Sequence, residues 1–218
     1  MQPDDAYVRD THQYDRLLTR SGFVRICDYE RLVTPTDIDD FQRLVDTVER
    51  ERPVHAFLAD HLHLVVNAEV AHGCRWIKSN PTLGGERSPD FMIARRDSSG
   101  LRWTLIELQD PKTDLFLHSG RQGGELREGI QQVGQWRDWV RRWGSNSVRD
   151  FGYPLLRNDF RAVVVIGRSE DKRRDLRGDE RIAALEQEHR IEIRSYDYIT
   201  RAAWQALHGC GVDHNVGL

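Results

Sequence analysis

Two apolar segments, "DFMIARR" and "LRWTLIELQ", stand on either side of "DSSG" at residues 97–100. Aliphatic and aromatic runs interrupted by a short Asp/Ser/Gly stretch predict a β-hairpin, and a hairpin decides which residues face each other. With the turn centred between Ser98 and Ser99, Asp90 stands opposite Glu107. Directly opposed residues have Cβ atoms about 4.5–5.5 Å apart, where like charges destabilise a sheet. A divalent cation compensates such a pair, because Mg²⁺ takes one or two carboxylates and completes its octahedron with waters and phosphate oxygens. Period-2 alternation places Gln109 on the face of Glu107. A plainer alternative makes Asp90 a strand-entry residue after Pro89 and turns Glu107 to solvent. The apolar "WTLI" before Glu107 and Leu108 after it weigh against that alternative, since an uncompensated carboxylate is costly there.

The rest of the chain surrounds this hairpin with helices and further strands. Residues 1–35 give weak signals beyond a short strand within "SGFVRICDYERLV". Thr36 is expected to cap a helix over "DIDDFQRLVDTVERE", where apolar residues recur at helical spacing behind an acidic first turn. Pro53 suits the first position of a second helix, "PVHAFLADHL". Two short strands, "HLVVNAE" and "CRWIK", precede a turn-rich "SNPTLGGERSP" loop. Beyond the hairpin, "ELREGIQQVGQWRDWVRRW" carries Leu126, Ile130, Val133, Trp136, Val140 and Trp143 on one helical stripe. "FRAVVVIGR" reads as a central strand buried on both faces. A helix "DERIAALEQEH", a strand "RIEIRSY" and a helix "DYITRAAWQALH" follow. This order predicts an α/β or α+β sandwich with a mixed central sheet flanked by helices.

The 218 residues suffice for one well-buried domain, and 39% hydrophobic with 31% charged residues is a globular balance. The three cysteines, Cys27, Cys74 and Cys210, lie far apart and read as ordinary buried thiols. No apolar stretch is long enough to span a membrane, and the start of the chain lacks a secretory pattern, so a cytoplasmic location is expected. A net charge of −3 argues against a protein that coats nucleic acid electrostatically. The distribution is uneven: residues 1–60 hold 13 acidic against 8 basic side chains, and 121–181 hold 14 basic against 10 acidic. The run "DKRRDLRGDER" is either a solvated helix face or a local basic surface. His61 and His63 suggest two imidazoles on one strand face, without a partner set of zinc-like spacing.

"SPDFMI", followed seventeen residues later by "IELQ", resembles the PD-(D/E)xK nuclease signature. With "ERPVHAFLADHLHLV", "IELQDP", Gln131 and Gln132 on a helix, "VVVIGR" and "IRSYDYI", the chain is similar to the Shedu family, a bacterial anti-phage nuclease domain. The resemblance spans about residues 48–207. It implies a restriction-endonuclease-like core over 48–210, preceded by an extension at 1–47 of unknown role and followed by a tail at 211–218. It further implies metal-dependent hydrolysis of DNA phosphodiesters. Asp90 and Glu107 would hold Mg²⁺ or Mn²⁺, helped by the Leu108 carbonyl, with Glu51 as a further acid or simply a solvated residue at a helix start. Gln132 and Trp136 keep the spacing of a supporting Gln-x-x-x-Tyr pair, with Trp for Tyr, or Trp136 serves the core. Arg168, Lys172, Arg173 and Arg174 are candidate contacts to the nucleic-acid backbone. The family also implies a homo-oligomer.

One departure bears on activity. Gln109 stands where that signature has Lys, and an amide orients a water but brings no positive charge. Lys112, three residues on, either reaches into the site or remains on the surface. Two functions therefore stay open: a metal-dependent deoxyribonuclease, or a module that kept the fold and binds nucleic acid without cutting it.

Overall fold

The hairpin forms in the expected register. In the computed structural model, which describes residues 5–208 apart from 28–29, 31, 70–72, 85–87, 99 and 171–175, β3 (Phe91–Asp97) pairs antiparallel with β4 (Gly100–Leu108), from Phe91 opposite Ile106 to Asp97 opposite Gly100. Around it β1 (Val24–Cys27), β2 (Cys74–Ser79), β5 (Arg161–Val165) and β6 (Glu192–Arg194) complete a six-stranded sheet ordered β1 to β6. The first four strands are antiparallel, and β4, β5 and β6 are parallel. Parallel neighbours need long crossovers. These are supplied by α5 (Gly124–Asp150) and α6 (Leu176–His189).

Helices cover both faces, giving an α/β fold with a mixed central sheet. On one face α5 lays Leu126, Val133, Trp136, Trp139 and Val140 against Trp103, Leu105 and Val164. On the other, α2 (Pro35–Thr47), α3 (Glu51–Asp60), α4 (Leu62–Asn67) and α7 (Tyr196–His208) bury Phe41, Leu58, Val65 and Ile199 against Phe91, Ile106 and Val163. With both faces covered, β5 reads as the continuous apolar run seen in the sequence. The strand from residues 1–47, β1, is an edge of this same sheet, and α1 (Asp5–Arg20) packs beside it. The 211–218 tail lies outside the described residues.

Four local expectations are corrected. The cap of α2 is Thr34, not Thr36: Pro35 opens the helix, and Thr34 and Asp37 exchange reciprocal bonds in a capping box. Pro53 is the third residue of α3, because the helix begins at Glu51 on a cap from elsewhere in the chain. "HLVVNAE" is the helix α4, not a strand; Leu64, Val65 and Val66 are all buried, and a short apolar run looks alike in either state. Cys27 and Cys74 are not free thiols. They are cross-strand partners of β1 and β2, 4.0 Å apart at Cα, and form a disulfide.

Candidate active site

The acids gather where β4 leaves the sheet. Asp90 stands one residue before β3, where the ladder beyond Phe91 opposite Ile106 counts on to Glu107, and its Oδ2 accepts the Leu108 N–H at 2.6 Å. That bond spans the hairpin mouth and holds Asp90 beside the end of β4. Glu107 is 5% exposed and Gln109 2%. The Gln109 amide donates from Nε2 to Glu107 Oε1 at 3.4 Å, so both carboxylate and amide face the same side, as alternation requires. Gly129 of α5 makes room for this pair: a Cβ there would sit 2.8 Å from Val164 Cγ1 and 3.4 Å from Gln109 Cγ.

Asp110 brings the third element in. Its Oδ1 accepts the Glu51 N–H at 2.9 Å and its Oδ2 accepts from Arg50 Nη1 at 2.9 Å, so a residue just past β4 caps α3. One helical turn on, His55 shares the face of Glu51. Its ring stacks on Phe91, with Nε2 3.6 Å from Asp90 Oδ1. Beneath the acids, the fully buried Tyr196 donates its hydroxyl to the Gln109 carbonyl at 2.8 Å.

Crowding of carboxylates shows in their protonation. Burial, then Asp90, Asp110, Glu125 and Glu128, push the Glu51 carboxyl up to about 7. Burial likewise raises Asp90, opposed by the Leu108 N–H and by His55. Glu125 at the start of α5 is raised by burial and by Asp110 and Glu128. The Tyr196 hydroxyl is driven well above its ordinary value by burial and by Asp90, Glu51, Asp110 and Glu107 together.

This donor set fits a hard divalent cation. Among the described residues no three or more His, Cys, Asp and Glu side chains converge to hold an ion by themselves. Mg²⁺ does not require such a cage, since one or two carboxylates suffice when waters and phosphate oxygens complete the shell. Asp90 and Glu107 would supply the two, with Glu51 as a further acid.

Other expected residues are placed elsewhere. Lys112 is exposed and donates to the Thr47 carbonyl at 3.4 Å, at the end of α2, rather than reaching into the site. Gln132 is half-buried one turn beyond Gly129 on α5, and Trp136 is buried in the core. Arg168, expected on a basic contact surface, pairs with Asp46 and, at 2.7 Å, with Asp197. Two carboxylates therefore neutralise it. Lys172, Arg173 and Arg174 lie outside the described residues. His61 and His63 do not share a strand: they flank the start of α4 and turn to Asp37, at 3.8 and 3.2 Å.

Asp110, His55 and Tyr196 were not anticipated. The one sequence signal for His55 is its i, i+4 spacing from Glu51. Asp110 beside Pro111 reads only as a turn, and Tyr196 only as core.

The fold is an α/β domain that gathers carboxylates at the end of a central hairpin. The family profile described as "Shedu protein SduA, C-terminal" matches residues 48–199. The chain belongs to that family. Among solved structures it is similar to one titled "Structure of restriction endonuclease FokI bound to DNA", at 10% identity and a TM-score of 0.40, covering 79% of this chain and 30% of that one. The chain thus spans about a third of that protein's length. No curated protein matches the sequence significantly.

Proposed function

We propose that this chain is a divalent-metal-dependent deoxyribonuclease acting in anti-phage defence. The observation that carries the reading is the opposition of Asp90 and Glu107 at the hairpin mouth, within a member of the Shedu family. When bound, Mg²⁺ or Mn²⁺ would supply charge shielding at the scissile phosphate and activation of the attacking water. Asp90 and Glu107 would hold it, with Glu51 as an additional acid once ionised.

The protein's own groups then have distinct tasks. Leu108 N–H fixes the orientation of Asp90, and the Gln109 amide fixes that of Glu107. Gln109 also has amide capacity to orient a water, though no charge to offer the phosphate. Arg50, held on Asp110 and 78% exposed, is the guanidinium beside the acids and is suited to a phosphate oxygen. DNA is the proposed partner and a homo-oligomer the proposed assembly. No helix among the described residues is long and apolar enough to cross a membrane.

Purified protein incubated with plasmid, linear and single-stranded DNA tests the reading. Cleavage is expected with Mg²⁺ or Mn²⁺ and not with EDTA, and Glu107→Gln, which keeps the buried volume, is expected to abolish it. Cleavage by Glu107→Gln at the wild-type rate overturns the site. DNA binding without cleavage by the wild type favours the second reading, a non-cutting module, for which the absence of Lys at 109 is the specific support. Gln109→Lys separates the two further, since a gain of cleavage shows that the amide limits a real catalyst.

A further inference from the structure

Toward the other end of β4 the structure holds a cleft of about 610 Å³, which Asp90, Glu107 and Glu51 do not line. Thr104 on its floor stands three positions before Glu107, roughly 10 Å along the strand. Five arginines line it, against Glu69, Asp159 and Glu192. We propose that this cleft binds a nucleoside mono- or diphosphate, with the base in the cleft and the phosphate on the arginines of the rim. The proposal does not depend on the nuclease reading.

The floor is built and buried. Arg161 forms a bidentate pair with Glu192 at 2.6 and 2.7 Å and a third bond to Glu69 at 2.5 Å. Glu69 is 6% exposed and Thr104 4%, so polar groups line the bottom of the cleft with their positions fixed. Acceptors and a hydroxyl at that depth suit the polar edge of a base. They also repel a continuous phosphate chain, which argues for a single nucleotide over a strand of DNA laid across the opening.

The wall is preformed too. The loop between α5 and β5 is tied by the Trp103 indole N–H to the Pro154 carbonyl at 2.9 Å and by Arg137 to the Asn158 carbonyl at 2.7 Å. Within it Leu155 has φ +60°, in the left-handed region that disfavours such a side chain, and it remains 49% exposed. An apolar residue kept in a strained conformation at a cleft edge marks a position that its surroundings hold in place. Its exposed side chain offers an apolar surface for a base, backed by the buried Phe160.

The rim arginines are held by weak pairs. Arg157 is 57% exposed and bonds across to Asp159, itself 56% exposed. Arg95 stands 3.9 Å from Asp97, beyond hydrogen-bond range, and Arg102 meets the same carboxylate through Nε at 3.1 Å. Exposed pairs of this kind contribute little, because solvent screens them and their long side chains lose freedom in pairing. A phosphate, which matches the planar guanidinium fork, displaces them readily. The cavity also falls in the size range of small-molecule sites.

Calorimetric titration with AMP, GMP, ADP and GDP, beside adenosine, guanosine and inorganic phosphate, tests the proposal on the full chain without metal. One-to-one binding of a nucleotide is expected, weakened about tenfold or more in Arg102→Ala/Arg157→Ala and unchanged in Glu107→Gln. Arg157→Glu alone, at an exposed position, gives the same answer should the double variant fold poorly. No binding of any nucleotide at about 1 mM overturns the proposal. So does binding that survives both arginine variants, or that Glu107→Gln removes, which would assign the ligand to the carboxylate site. A short single-stranded oligonucleotide that alone responds to the arginine variants overturns it in favour of a strand contact.

Discussion

Asp110 caps a helix that starts 59 residues earlier: its carboxylate accepts the backbone N–H of Glu51 at 2.9 Å. The bond joins the exit of β4 to the first turn of α3, and so places the Glu51 side chain among acids that the hairpin brings from another part of the chain. The same carboxylate holds Arg50. One residue outside the hairpin thereby decides both where α3 begins and which way its first acid faces.

Removing that acceptor is expected to act on stability and activity together. Asp110→Ala should lower stability by about 0.5–2 kcal/mol, the usual worth of a helix cap, and reduce cleavage by loosening Glu51. Asp110→Asn keeps an acceptor oxygen and should restore most of the stability. Urea unfolding of the three proteins checks this, and equal loss in Ala and Asn variants would show that charge, not capping, is the role of Asp110.

Glu51 supplies a pH dependence of defined sign. Its folded-state value is raised from an ordinary 4.5 to about 7, so the folded protein binds this proton more tightly than the unfolded chain. Glu51 therefore imposes no penalty on folding below about pH 4.5, a growing one between 4.5 and 7, and the full penalty above 7. The carboxyl is half-exposed, so screening limits the effect to about 1 kcal/mol. Glu51→Gln in EDTA should raise Tm by roughly 2–4 °C at about pH 8 and hardly at all at about pH 4.5. A gain independent of pH would contradict the assignment.

Gly129→Ala sets helix propensity against packing. Alanine inside a helix is worth up to about 1 kcal/mol over glycine, but the new Cβ would meet Val164 Cγ1 at 2.8 Å and Gln109 Cγ at 3.4 Å. Overpacking of this kind costs about 1–3 kcal/mol, so net destabilisation is expected, with cleavage reduced because Gln109 is displaced. Thermal melts beside a control Gly134→Ala, where a Cβ meets nothing within 4 Å, separate the two effects.

The Cys27–Cys74 link closes a 47-residue separation between an edge strand and its neighbour. Its loss should reduce stability by about 2–4 kcal/mol. Wild-type protein in dithiothreitol should then melt with Cys27→Ser, and both below untreated wild type. Coincident melting of wild type with and without reductant would mean that the link does not form in solution.

The part of the site that was legible in the sequence is the part that is local. Asp90, Glu107 and Gln109 follow from a turn composition and a period of two, and the strands pair in the register so counted, from Phe91 opposite Ile106 to Asp97 opposite Gly100. The choice of Thr34 over Thr36 as the cap is less legible, since it rests on the reciprocal bonds with Asp37 rather than on residue type. Short apolar "HLVVNAE" misled because its burial comes from α7, not from its own periodicity. The arginine cleft gave no pattern at all, being drawn from residues 69 to 198.

By itself, then, the sequence determined the elements whose information lies within one turn or one helix length: the hairpin and its opposed carboxylates, the amphipathic α5, the doubly buried β5. These depend on alternation, helical spacing and turn chemistry, which act between near neighbours. Tertiary structure alone decided that Asp110 caps α3, that Tyr196 lies beneath the acids, that Cys27 meets Cys74, and that Lys112 and Arg168 go elsewhere. Each of those is a contact between residues 29 or more apart, and only the packing of two helical layers onto one sheet brings such residues within hydrogen-bonding or bonding distance.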